Sequence, residues 1–263
     1  MKRFSESLLA AAPESEQSLQ MKHKLPLDVL FEDEVLLALN KPAGLLIAPD
    51  RWDKSLDNLM QRLHEHLNPT AFNVHRLDKD TSGLVLCAKN TEAWKRLFGW
   101  FASHKIAKRY LAITRGVPRE KEFTVELAVA TNPQRRGRMM VSKHGKKART
   151  VFQTLETYRG YALLSVAPET GRQHQIRVHL AAVGTPILAD PFYGDGRPLL
   201  LSSLKKYFKE PREGERPLIA RTALHAESLE FPHPVTGELT KINAPPPHDF
   251  ELALKYLRKF AGR

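Results

Sequence analysis

The densest run of chemically able side chains in the 263-residue chain is Asn73-Val74-His75-Arg76-Leu77-Asp78-Lys79-Asp80-Thr81-Ser82-Gly83, directly before the apolar run Leu84-Val85-Leu86. Two carboxylates, an imidazole, a guanidinium and two hydroxyls at the mouth of a strand admit three chemistries. Asp78, Asp80, Ser82 and Gly83 fit positions 1, 3, 5 and 6 of an EF-hand calcium loop, but position 12, which needs a bidentate Glu, is Lys89, and a cation there repels the ion. Asp78-Lys79-Asp80-Thr81 imitates the nucleophile-plus-acid spacing of magnesium-dependent aspartyl-phosphate hydrolases. Those enzymes set the aspartates at the carboxyl end of an apolar strand, whereas here the apolar strand follows the loop. In the third chemistry Asp78 acts alone, as nucleophile or base in a metal-free pocket, and needs a cation beside it to stay ionised away from water.

Gly171-Arg172-Gln173-His174-Gln175-Ile176-Arg177-Val178-His179 offers such a cation. A helix from Gln173 to Val183 puts Gln173, His174 and Arg177 on one polar face and Ile176, Leu180 and Val183 on an apolar one, with Gly184 as its C-cap. An Arg on a half-buried helix needs an acidic partner. Taken singly, Arg177 is an ordinary surface cation and Tyr110 an ordinary strand aromatic; their company with the Asp78 loop is what singles them out. His174 and His179 stand five apart, not at the i, i+4 spacing of a helical zinc pair, and His64 and His66 face different ways, so metal ligation by these imidazoles is not expected.

The elements that must position these groups follow from periodicity. Val35 to Leu39 is a buried strand stopped by Asn40-Lys41-Pro42-Ala43-Gly44, and Ser55 to Leu67 is an amphipathic helix carrying Leu56, Leu59, Met60 and Leu63. Leu84 to Ala88 is a strand, and Thr91 caps a helix that turns Trp94, Leu97, Phe98 and Phe101 inward. Tyr110 to Thr114, Phe123 to Val129, Thr150 to Leu155 and Tyr161 to Val166 are rich in β-branched and aromatic residues, as strands are. Residues 197–215 form an irregular basic insertion, Leu224–Phe231 and Leu239–Ile242 a hairpin, and Phe250 to Phe260 a closing helix. Strands that follow one another directly argue an α+β fold with much antiparallel pairing.

Forty-one Lys+Arg against 29 Asp+Glu leave a net charge of +12. With 42% apolar and 27% charged residues the composition is globular, which excludes wholesale disorder, collagen and coiled coil. The lone Cys87 lies in an apolar run, so no internal disulfide or cysteine-based zinc cluster forms. No signal-peptide core or membrane-spanning run is present, and a cytoplasmic location without membrane association is expected. There a cationic surplus either serves a polyanion or only keeps the chain soluble.

His75-Arg76-Leu77-Asp78-Lys79-Asp80-Thr81-Ser82-Gly83-Leu84 resembles the catalytic signature of the RluA-type pseudouridine synthases. Four further segments resemble that family in its order, across Leu27 to Ile242: Asn40-Lys41-Pro42-Ala43-Gly44-Leu45, Lys108-Arg109-Tyr110-Leu111-Ala112, Thr170 to Arg177, and Pro186-Ile187-Leu188-Ala189-Asp190 with Tyr193-Gly194. Ala189 stands where the family pattern more often has Gly. The resemblance implies the pseudouridine synthase fold, a long bent, mostly antiparallel mixed sheet flanked by helices with a central cleft. It also implies an isomerase that detaches a uridine's base in RNA, turns it and rejoins it through C5, with no metal or cofactor. Asp78 would be the essential carboxylate, Arg177 its ion-pair partner, Tyr110 the ring stacked on the uracil and Arg76 the filler of the vacated space. His75, Thr81, Arg172, Gln173 and His174 would line the substrate site.

The family's longer members carry a small N-terminal S4-type RNA-binding module. Residues 1–24 read as a flexible tail too short for one, leaving residues 25–263 as a single catalytic domain that must supply its own RNA affinity. Gln134 to Thr150, with Arg135, Arg136, Arg138, Lys143, Lys146, Lys147 and Arg149 and no acid, reads as a basic hairpin arm along a phosphate backbone. Lys205, Lys206, Lys209, Arg212 and Arg216 make a second, weaker surface. The expected partner is structured RNA, ribosomal or transfer, met by a monomer. The rivals are a catalytically idle RNA-binding module on the same scaffold and the magnesium-dependent aspartyl-phosphate hydrolase.

Overall fold

The computed structural model describes residues 27–50, 53–209 and 211–262, so the expected tail at 1–24 lies outside the described residues. Among the described residues ten strands build one sheet. In chain order the strands are β1 (Asp28–Glu32), β2 (Leu36–Lys41), β3 (Phe72–Asn73), β4 (Ser82–Ala88), β5 (Ala107–Arg115), β6 (Glu122–Val125), β9 (Thr150–Tyr158), β10 (Tyr161–Pro168), β11 (Leu224–Pro232) and β12 (Leu239–Asn243). Across the sheet the order is β1-β2-β4-β11-β5-β10-β9-β6, with β12 on β11 and β3 on β4. Among the described residues every pairing of these strands is antiparallel except β4 with β11, which places the end of the Asp78 loop at the sheet's parallel seam. Two short strands, β7 (Val129–Thr131) and β8 (Met139–Val141), form a separate hairpin.

The continuous apolar runs of β2 and β4 are explained by cover on both faces. Leu36, Ala38, Leu84, Leu86 and Ala88 pack with Ala93 and Leu97 of α2 (Thr91–Ala102) on one side. Leu37, Leu39, Val85 and Cys87 pack with Leu59, Met60 and Leu63 of α1 (Leu59–His66) on the other. Burial pushes the Cys87 thiol up to about 12, as befits an inert core residue. A further core joins β5 and β10 to α3 (Gln175–Ala182) and α4 (His248–Ala261) through Ile113, Leu164, Leu180, Phe250 and Leu257.

Several expected boundaries move for local reasons. The first helix starts at Leu59, not Ser55, because the Asn58 side chain caps it by accepting from Gln61 N, and Leu56 is left exposed. Asn90, not Thr91, caps α2, accepting from Ala93 N at 2.9 Å. Phe98 does not turn inward: the residue is 52% exposed and its ring is stacked on Trp94. The expected strand Phe123 to Val129 breaks into β6 and β7, and α3 begins at Gln175, so Gln173 and His174 stand in the turn before it rather than on its polar face. Residues 197–209 and 211–215 form no helix or strand, as the irregular insertion required.

Candidate active site

The Asp78 loop connects β3 to β4 and is pinned from several sides. Gly83 adopts φ +111, and a Cβ there would stand 2.2 Å from the Ala226 carbonyl oxygen, so the parallel seam admits only glycine. Next to it the Ser82 hydroxyl meets His225 Nδ1 at 3.0 Å, while His225 Nε2 meets the Ala244 carbonyl at 3.0 Å. The buried Lys41 ammonium donates to the carbonyls of Pro42 (2.8 Å), Leu45 (2.8 Å) and Lys79 (2.9 Å). Burial lowers Lys41 to about 7, with the charge of Asp80 opposing, Arg221 assisting and Asp78 opposing. On the next residue Arg221 donates to the Asp80 carbonyl at 3.3 Å while Asp249 grips its guanidinium at 2.8 and 2.9 Å.

This frame presents Asp78 to a cavity of about 500 Å³ whose walls include Arg76, Thr81, Phe98, Tyr110, Arg172 and His174. Its carboxylate is 22% exposed, and a single oxygen, Oδ2, faces both Arg177 Nη1 at 3.3 Å and His174 Nε2 at 3.8 Å. Oδ1 accepts no hydrogen bond among the described residues. Asp80 lines a second hollow instead, with Gly44, Arg221 and Asp249. The two carboxylates therefore do not converge as a calcium loop or an aspartyl-phosphate site would require.

Arg177 is the ion-pair partner of Asp78, as expected, but it is held chiefly by a second carboxylate, Asp190. Its Nε and Nη2 donate to the two oxygens of that fully buried carboxylate at 2.7 and 2.8 Å. Asp190 is in turn fixed by the amides of Phe192 (2.9 Å) and Tyr193 (3.1 Å). Burial works against the Arg177 charge, but Asp190 and then Asp78 outweigh it and hold its pKa above the ordinary value. A cation anchored in this way is preorganised to meet Asp78 without moving.

The remaining expected site residues divide. Tyr110 lines the cavity from β5; burial, and then the charge of Asp78, push its pKa up, so it stays a neutral phenol. Arg76 and Gln173 are exposed, and Arg76 lies on the cavity wall. Thr81 is buried on the same wall and closes a turn by donating its amide to the Asp78 carbonyl at 3.1 Å. Arg172 is tied by its Nε to the Lys147 carbonyl at 3.1 Å. His75 borders the same cavity, with its ring committed to the fold: its Nε2 accepts the Leu86 amide at 2.9 Å and its ring stacks on Phe101 at 4.7 Å. Burial, with Lys108 assisting, drives its pKa down to about 3. His179 is likewise buried, between Thr150 Oγ1 and the Leu127 carbonyl. Among the described residues no cluster of three or more His, Cys, Asp or Glu could hold a metal ion.

The basic arm is a real hairpin, but its cations differ. Arg135, Arg136, Lys143, Lys146 and Lys147 are exposed. Arg138 lies over the Phe192 ring at 4.7 Å and donates to the Phe192 carbonyl at 3.0 Å. Arg149, expected to meet RNA, is gripped by Glu126 at 2.6 Å and by Glu169, two acids from outside the arm. Lys41, Arg221 and Asp190 were assigned no role from sequence. Lys41 and Asp190 lie inside segments that carried the family resemblance, whereas no local signal marks Arg221.

Fold and cavity define an α+β enzyme in which an aspartate, held by an anchored guanidinium, faces a space wide enough for a nucleotide base beside an aromatic wall. The family described as RNA pseudouridylate synthase matches residues 35–182. A ribosomal large subunit pseudouridine synthase D of Nitrosomonas europaea is 37% identical over 256 residues, covering 95% of this chain and 71% of that protein. Its namesake of Xanthomonas campestris is 36% identical, covering 91% and 72%. The solved human RNA pseudouridylate synthase domain containing 4 superimposes with a TM-score of 0.68 at 28% identity, covering 88% of this chain and 93% of that one. The chain belongs to the RNA pseudouridylate synthase family, enzymes that isomerise uridine in RNA to pseudouridine.

Proposed function

We propose that this enzyme forms pseudouridine in large-subunit ribosomal RNA, with Asp78 as the essential carboxylate, acting in the cytoplasm as a monomer whose residues 25–263 are one catalytic domain. The observation that carries the reading is the asymmetry of Asp78: Oδ2 is turned to Arg177 at 3.3 Å while Oδ1 is left to act on the nucleotide, as nucleophile or base. The curated relatives' names support the choice of RNA.

Isomerisation consumes no redox partner and no second substrate. It requires that the detached base be held close and dry until it rejoins, so that recombination outruns hydrolysis. Tyr110 supplies a neutral ring on which the uracil stacks, and the exposed Arg76 on the cavity wall enters the space the base leaves. Such contacts offset the few kcal/mol, roughly, that extrusion of a base costs. Gln173 and His174 border the same space, and the exposed cations of the arm hold the flanking phosphates.

Mapping pseudouridines in ribosomal and transfer RNA from cells with and without the gene tests the substrate. One or more positions of large-subunit RNA are expected to lose the modification. Loss confined to transfer RNA would overturn the ribosomal assignment and leave the chemistry intact.

A further inference from the structure

Tyr193 is unused by the mechanism above, yet its hydroxyl sits between two partners. It accepts the Met139 amide of the β7–β8 hairpin at 2.7 Å and meets His174 Nδ1 at 2.8 Å. The Tyr193 hydroxyl has no other acceptor among the described residues, so its proton is assigned to Nδ1. That assignment leaves the His174 proton on Nε2, the nitrogen 3.8 Å from Asp78 Oδ2. The ring is further held edge-on against Tyr193 at 5.6 Å. Its backbone sits at φ 53, a left-handed conformation that a non-glycine residue adopts where surrounding contacts impose it. Burial lowers the His174 pKa against the pull of Asp78, consistent with a neutral donor. A second line runs in parallel: Arg138 and Arg177 both lie over the Phe192 ring, at 4.7 and 5.3 Å. Both lines begin on the basic hairpin and end on a group that faces Asp78 Oδ2.

We propose that Tyr193 and His174 are positioning residues for Asp78: the Tyr193 hydroxyl, itself held by the hairpin, fixes the His174 ring so that Nε2–H steadies Oδ2 and leaves Oδ1 directed at the nucleotide. The inference rests on Asp78 being the essential carboxylate. The 3.8 Å separation is one that closes in the bound complex, since catalytic hydrogen bonds are commonly long in free enzymes.

The test uses the full chain in excess over RNA extracted from cells lacking the gene, reading the single-turnover rate and the enzyme concentration giving half-maximal rate. Tyr193→Phe keeps the ring and removes one oxygen. It should slow the chemical step roughly tenfold, the scale on which loss of an orienting partner acts, while the half-maximal concentration and the urea midpoint stay near wild type. Because Tyr193 acts through His174, Tyr193→Phe combined with His174→Gln should be no slower than His174→Gln alone. A wild-type rate in Tyr193→Phe, a change confined to the half-maximal concentration, or losses that multiply in the double variant would overturn the inference. Asp78→Asn in the same assay separates the two ideas: turnover there removes the underlying reading, whereas an inactive Asp78→Asn beside an unaffected Tyr193→Phe removes only this one.

Discussion

Around the Asp78 loop Lys41, Arg177 and Arg221 direct their donors at fixed carbonyls and carboxylates, whereas on the hairpin Arg135, Arg136, Lys143, Lys146 and Lys147 are exposed to solvent. The two groups are chemically alike and both count toward the net charge of +12. The first fixes the geometry of Asp78 and its loop, and solvent salt reaches it little. The second can exchange counterions for phosphates, and it answers to salt directly. Arg149 shows that position in the arm does not decide membership, because Glu126 and Glu169 have already taken it. Net charge thus points to a polyanion without saying which cations meet it.

This contrast is tested most sharply at the fixed cations and their partners. Asp190→Asn leaves the buried Arg177 charge without its main partner and should cost about 3–5 kcal/mol of stability, read as a large fall in the urea midpoint. A small change would mean that Asp78 alone suffices to hold Arg177. Lys41→Met orphans three backbone carbonyls and should cost about 2 kcal/mol, again by urea titration, with no change in the salt dependence of RNA binding. If the salt slope moved instead, Lys41 would belong with the RNA-facing cations.

A third comparison uses pH. The folded pKa of His75, about 3, lies below its ordinary 6.5, so on acidification the unfolded chain takes up a proton that the folded chain refuses. This contribution to stability is whole above pH 6.5 and is lost as pH falls toward 3, at up to about 1.4 kcal/mol per unit. Urea midpoints at pH 7, 6 and 5 should fall less steeply in His75→Gln than in wild type. Parallel curves would show that the imidazole can charge in place. The smallest energetic effect is expected on the arm. Replacing its five exposed cations with Gln should flatten log K against log salt by roughly 0.7–0.9 for each phosphate that is no longer neutralised. Arg149→Gln should leave the slope unchanged.

Much of this was legible in one dimension. The Asp78 loop stands out because a polar run interrupts strongly apolar neighbours, and the strands around it are apolar enough to be seen. Arg177 could be found because an arginine near an apolar helix face requires an acid. Which acid could not be read, since Asp190 sits in an irregular turn where no periodicity ties it to α3. Lys41 looks like a strand-end cation until the fold gathers three carbonyls around it. Phe98 obeys helical spacing but faces the cleft, and a period cannot distinguish an open face from a covered one. His174 misled for a related reason: the helix pattern extends smoothly through it, whereas its left-handed backbone ends the turn before α3 begins.

In the function proposed above, the carboxylate of Asp78 performs the isomerisation while the cations around it only hold it in place and gather RNA. Asp78→Asn, nearly isosteric, should therefore bind RNA from cells lacking the gene as tightly as wild type and produce no pseudouridine in it. Pseudouridine formed at the wild-type rate by that variant would contradict the account.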